Sequence, residues 1–180
     1  MDRVKWGWAP FWAGGKRPDP INARAETVMT GKFFKTLWPA GRALAPANGW
    51  LEWIPYPADP KRKQPYYITA TNDEPLFFAA LAEVYEVLED QDQEGFMIIT
   101  AAADEGMVDI HDRKPLVLAP DLAREWIDPT TTAERAEEIA QQGCRPAGDF
   151  KWHPVSKLVG NVRNQGAELI DPVQISEQLP

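Results

Sequence analysis

The 180-residue chain has one cysteine, two histidines and no long apolar run. A lone Cys144 excludes an internal disulfide and any zinc site built from several cysteines, and it fits a reducing compartment. With so few imidazoles and thiols, no metal or other cofactor is expected. No stretch approaches the length of apolar residues needed to cross a bilayer, and the opening Met1-Asp2-Arg3-Val4-Lys5-Trp6 has no secretory apolar core. The expectation is a monomeric cytoplasmic protein with no membrane partner.

Basic residues are missing from one long segment. None lies between Lys63 and Arg113, where Glu83, Glu86, Glu89, Asp90, Asp92 and Glu94 accumulate. That run reads as a solvated face or loop rather than a binding tail. The net charge of -8 therefore hides an asymmetry: residues 1–67 carry a balance of +6, and residues 68–180 one of -14. A uniformly acidic protein repels phosphate, but a basic third does not. Six of the eight tryptophans fall within the first 53 residues, among those lysines and arginines. Aromatic faces for bases and cations for phosphates are the means by which single strands are gripped without sequence readout.

The length suits one domain with a substantial core, here taken as residues 1–180 with a frayed tail from 174. Seventeen prolines cut the chain into short elements. They favour an α+β fold in which a short-stranded, curved, mixed or antiparallel sheet, or an open barrel, carries a few peripheral helices. Strands are predicted at Ala43–Ala47, Trp50–Ile54, Tyr66–Thr71, Leu76–Leu81, Phe96–Ala101, Pro115–Leu118 and Phe150–Val155, with extended chain again after Lys157. Ala13-Gly14-Gly15 and Pro18-Asp19-Pro20 read as an exposed loop. Helix-compatible composition covers 24–37, with Val28, Phe33, Phe34 and Leu37 as its buried set. Pro120–Ile127 reads as a short helix, and Thr131-Thr132-Ala133-Glu134 as a capping box opening a helix through Gln142 that stops at Gly143.

Three places could carry chemistry. His111 lies between Asp109 and Asp112 and before Arg113, where a carboxylate can orient the ring for proton transfer; the alternative is a surface histidine in a polar turn. Glu52 sits between Trp50 and Trp53 in a predicted strand and by alternation shares a face with Trp50. Burial among indoles would raise its pKa toward general-acid duty, whereas an outward edge glutamate would have no such role. Asn22 and Arg24 follow Pro20 in extended chain, so both should point one way and could hold a sugar oxygen and its phosphate. Cys144 and His153 read as packing residues.

Taken in order, Trp6-Gly7-Trp8-Ala9-Pro10, Ile21-Asn22-Ala23-Arg24-Ala25-Glu26-Thr27, Gly49-Trp50-Leu51-Glu52-Trp53, Thr100-Ala101-Ala102-Ala103-Asp104, Ile110-His111-Asp112-Arg113 and Trp152-His153-Pro154-Val155-Ser156 resemble the SOS-response-associated peptidase (SRAP) family from about Val4 to Pro172. The resemblance implies a sensor of abasic sites in single-stranded DNA that traps the ring-opened aldehyde as a covalent cross-link. It also implies residue roles: Asn22 holding the sugar, Glu52 as general acid/base, His111 as proton-transfer partner, Arg24 and Arg113 on flanking phosphates, Trp12 and Trp53 against the bases, and Thr100 in the DNA-binding surface. Nucleoid association when DNA-bound follows from the same resemblance.

The chain departs from the family pattern at its start. The family opens Met-Cys-Gly-Arg, and the amine and thiol of that cysteine close a thiazolidine on the aldehyde; here residue 2 is Asp2. The expectation is that the nucleophile-bearing segment precedes Met1 in a longer reading frame or is omitted from this sequence. A noncovalent single-strand binder and a self-processing peptidase are the competing readings.

Overall fold

A computed structural model describes residues 4–13, 18–38, 40–84, 94–104, 107 and 111–175. The acidic run Glu86–Asp92, the Gly14-Gly15 portion of the opening loop, Asp109 and the end of the tail lie outside those residues. The fold is α+β; the described residues form two sheets and two α-helices, and the described strands close no barrel. Contacts divide the chain into two compact units. One comprises residues 1–46, 77–102 and 113–145, the other residues 47–76, 103–112 and 146–180.

The first unit is organised by a mixed sheet with the path β1 (Asn22–Arg24), β6 (Gly95–Ala102), β5 (Leu76–Glu83), β2 (Arg42–Ala47). Two short strands, β7 (Arg113–Pro115) and β8 (Val117–Leu118), pair with β6 and β5 respectively. β1 runs parallel to β6, while β5, β7 and β8 make antiparallel pairs. Helices α1 (Pro120–Ile127) and α2 (Ala133–Gln142) cover a core containing Val28, Leu37, Trp38, Leu81, Met97, Ile99, Leu118, Trp126 and Ile139. Trp38 meets Trp126 edge-on at 5.7 Å between ring centroids. Arg42 binds three backbone carbonyls, of Trp126, Asp128 and Thr131, and so places a cation at the C-terminal end of α1, where unpaired carbonyls collect.

In the second unit β3 (Trp50–Tyr56), β4 (Asp59–Ala70) and β9 (Phe150–Pro154) form an antiparallel sheet in that order. Ile68, Ala70, Phe150 and Val155 are buried, and Trp50 meets Phe150 edge-on at 5.3 Å. Gln64 is buried too; its amide donates to the carbonyls of Pro65 and Val155 and its oxygen accepts from the Tyr56 hydroxyl.

The predicted strands and α1 agree with these elements to within a few residues, except that β4 starts much earlier, at Asp59, and the strand predicted at Pro115–Leu118 is divided between β7 and β8. Residues 24–37 differ. They form consecutive single turns closed by bonds from Val28 to Arg24, Gly31 to Thr27, Lys35 to Gly31 and Trp38 to Phe34, with no continuous helix. Val28 and Leu37 are buried as expected, while Phe33 and Phe34 are half-buried. The helix cap lies one residue later than the predicted capping box, with Arg135 rather than Glu134 at its third position. Thr132 caps α2 by accepting from the Arg135 amide, and the Thr131 hydroxyl is spent on the Glu125 carbonyl. Beyond Lys157 the chain is not simply extended but makes two 3-10 turns, at Lys157–Gly160 and Ala167–Ile170.

The tryptophan cluster is also less uniform than composition suggests. Trp8 and Trp38 are core residues, whereas Trp6, Trp12 and Trp53 are exposed. Regular alternation would put Trp6 and Trp8 on one side. Gly7 between them adopts φ 125°, a conformation that L side chains rarely reach, and it separates an outward Trp6 from an inward Trp8.

Candidate functional site

In the first unit the outward face of β1 carries Asn22 and Arg24, with Ala23 buried between them. Parallel pairing with β6 sets Asn22 opposite Ile98 and Arg24 opposite Thr100. The Ala25 amide donates to the Thr100 carbonyl, and the Thr100 hydroxyl reaches toward the Ala23 carbonyl at 3.4 Å. The amide and guanidinium therefore do project together, as the extended reading of this segment requires.

Arg113 is tied into the same strands. Its guanidinium forms a bidentate pair with Glu26, at 2.6 and 3.0 Å, and also donates to the Thr100 carbonyl and hydroxyl. The arginine holds the Glu26 carboxyl below the usual carboxylate range, with a smaller contribution from Arg24. Arg113 thus clamps β1 and β6 with much of its charge neutralised, while Arg24 makes no ion pair among the described residues. Sequence reasoning missed Glu26. Its only signal was its place in the Asn22–Thr27 string, because nothing local marks a partner 87 residues away.

Trp12 lies in a short 3-10 turn, Phe11–Ala13, more than half exposed. Its ring rests edge-on against Phe33 at 5.7 Å, and the Lys32 ammonium stands 5.7 Å from its centroid. Such a supported, open indole with a cation beside it can stack on a base.

The second unit holds the acid–base groups. Glu52, on β3 opposite Tyr66, is partly buried, and burial pushes its carboxyl above the ordinary value. His111 and the Trp50 side chain oppose that shift, and Asp112 reinforces it. These influences bring Glu52 and His111 together, 59 positions apart in the chain, and place Trp50 on the Glu52 face. The His111 Nδ1 stands 3.1 Å from Asp112 Oδ1, and its backbone amide donates to the Met107 carbonyl. A ring directed at a carboxylate through Nδ1 is held in one orientation. Trp53, on the opposite face of β3 from Glu52, is exposed.

The remaining candidates pack. His153 lies against Tyr67 at 5.9 Å and contacts the Ile170 carbonyl, and Cys144 lies near the Pro115 carbonyl. No group of three or more His, Cys, Asp or Glu side chains able to hold a metal occurs among the described residues, and no helix among them is long and apolar enough to cross a membrane.

The sequence matches the family model described as SOS response associated peptidase (SRAP) over residues 1–162. The chain belongs to the SRAP family. Among curated SRAP relatives, the abasic site processing protein YedK of Escherichia coli is 51% identical over 173 residues, covering 96% of this chain and 75% of the relative. The abasic site processing protein HMCES of Mus musculus is 26% identical over 203 residues, covering 96% and 56%. A solved structure of a phage-related protein from Bordetella bronchiseptica matches with a TM-score of 0.73 and 43% identity, over 86% of this chain and 71% of that one.

Proposed function

We propose that this SRAP chain recognises abasic sites in single-stranded DNA and supplies the acid–base groups for attachment at the ring-opened sugar. The observation that carries the reading is the pairing of a carboxyl whose pKa burial raises, Glu52, with an imidazole oriented by Asp112, His111. An aldehyde needs such a pair: its oxygen takes up a proton as a nucleophile adds, and leaves as water when the adduct closes. Asn22 and Arg24 add a sugar contact and a phosphate contact on the first unit, with Thr100 as their backbone support. Trp12 and Trp53 offer exposed rings for neighbouring bases. The names of YedK and HMCES, both abasic site processing proteins, support the same substrate. Treatment of residues 1–180 as a single functional domain, monomeric and cytoplasmic, belongs to this proposal.

Covalent attachment adds a thiol and an amine to the aldehyde carbon with loss of one water. The family pattern assigns both groups to an opening Met-Cys-Gly-Arg. The assay compares abasic and intact single-stranded oligonucleotides by gel shift and by denaturing gel, for the chain as given and for the chain preceded by such an opening. The expected result is a salt-sensitive preference for the abasic strand in both proteins, and an SDS-resistant adduct in the extended one that Glu52→Gln and His111→Ala slow at least about tenfold. Equal binding of abasic and intact strands would overturn the reading.

A further inference from the structure

The second unit carries a basic and aromatic surface that none of the roles above uses. The β3–β4 hairpin ends in Lys61-Arg62-Lys63, all exposed, and Lys157 from the turn after β9 is exposed as well. Two of these cations converge on one ring: the Arg62 guanidinium lies 5.4 Å and the Lys157 ammonium 5.1 Å from the centroid of Tyr56. None of the four makes an ion pair among the described residues; Asp59, the nearest acid in sequence, accepts only from the Lys61 backbone amide.

The position of Tyr56 gives the surface its meaning. Its hydroxyl donates to Gln64, and Gln64 stands directly across from Ile54, so Tyr56 lies on the face of β3 that also carries Trp50 and Glu52. Tyr56 lies four steps along the strand from Glu52, about 13 Å. A stacked strand places one phosphate per ~3.4 Å, so this distance corresponds to about four nucleotides. Half-open rings flanked by cations suit a nucleic-acid strand better than an acidic peptide, which would match the charge but not the ring.

Resting on the proposed function above, we infer that Tyr56, Arg62 and Lys157, with Lys61 beside Arg62, form a second contact for the phosphodiester backbone of the abasic strand, several nucleotides from the damaged position. This contact contributes affinity and footprint length, and takes no part in chemistry at the sugar.

Fluorescence anisotropy of the full chain tests it with two abasic single-stranded probes. One has a single nucleotide on each side of the site, and the other about six on each side, enough to span the ~13 Å interval. The long probe is expected to bind more tightly and with a steeper salt dependence. Arg62→Gln with Lys157→Gln should lower the salt slope of the long probe by about 1.4, about 0.7 for each phosphate that is no longer neutralised, and leave the short probe unchanged. Lys61→Gln, which leaves the packing on Tyr56 intact, should lower the slope in the same direction. Equal affinity for both probes, or an unchanged slope in both variants, overturns the inference while binding of the short probe preserves the proposed function. Competition by polyglutamate as effective as that of the long probe also overturns it, in favour of an acidic protein partner. If neither probe binds the unaltered chain, both proposals fall.

Discussion

The two charged neighbours of Glu52, His111 and Asp112, act on its proton in opposite directions. Burial and the Asp112 carboxylate both raise the Glu52 pKa, and His111 lowers it. Asp112→Asn removes a negative charge, so Glu52 should ionise at lower pH, and the basic limb of any Glu52-dependent adduct formation should move in the acidic direction. His111→Ala removes an opposing influence and should move the same limb the other way, at reduced rate. Stability follows the same sign. A carboxyl whose folded pKa is raised contributes fully below its ordinary value of 4.5, and that contribution is lost as pH rises through the folded pKa. Glu52→Gln should therefore raise the melting temperature at about pH 7 relative to the unaltered chain and change it little at about pH 4. Thermal melts under the two conditions check this, and a larger gain in acid would contradict the burial argument. Alternation along β3 was enough to predict the shared face of Glu52 and Trp50. The approach of His111 was not legible, because a histidine within a short polar segment carries no mark of which strand it meets.

At the scale of elements, β3 depends on the glycine that opens its motif. A Cβ at Gly49 would collide with the Ile68 carbonyl oxygen and stand 2.5 Å from the Tyr67 ring, so the obstacle includes the backbone of β4 and not only a flexible side chain. Gly49→Ala should cost on the order of 2–3 kcal/mol, because the β3–β4 ladder must shift to admit it. Gly148→Ala, where nothing lies within 4 Å, should be close to neutral. Chemical denaturation of the two variants checks the contrast, and the Gly49 variant should also blunt whatever Glu52 does, since Glu52 is fixed by the same ladder. Elements with local punctuation were readable: proline opens α1, and a threonine cap and Gly143 bound α2. The 24–38 segment was not, because composition cannot distinguish a helix from consecutive single turns. There the Arg24 carbonyl accepts from both Thr27 and Val28 as soon as β1 ends. Division of the strands between two sheets was equally hidden. Period-two patterning states which face is buried but not which strand lies alongside, and β1 finds its parallel partner β6 about 70 residues later in the chain.

For the whole molecule, charge decides how an acidic protein can hold a polyanion. With a net charge of -8, long-range attraction to DNA cannot come from the protein as a whole and must come from cations left unneutralised on its surface. The two arginines on β1 and β7 differ in this respect. Arg113 is bound bidentately by Glu26 and buried for most of its side chain, so substituting it removes an internal clamp. Arg24 is exposed on the outward face and in no described ion pair. Arg24→Gln should therefore lower the salt slope of abasic single-strand binding by about 0.7, the value of one phosphate contact, with little change in melting temperature. Arg113→Gln should leave that slope nearly unchanged while costing on the order of 1–3 kcal/mol in stability, because it frees Glu26 and withdraws donors from Thr100. Salt titrations and melts on both variants separate the roles. If Arg113→Gln flattens the slope as much as Arg24→Gln does, Glu26 releases the guanidinium when DNA arrives, and the clamp is then a reserve phosphate contact.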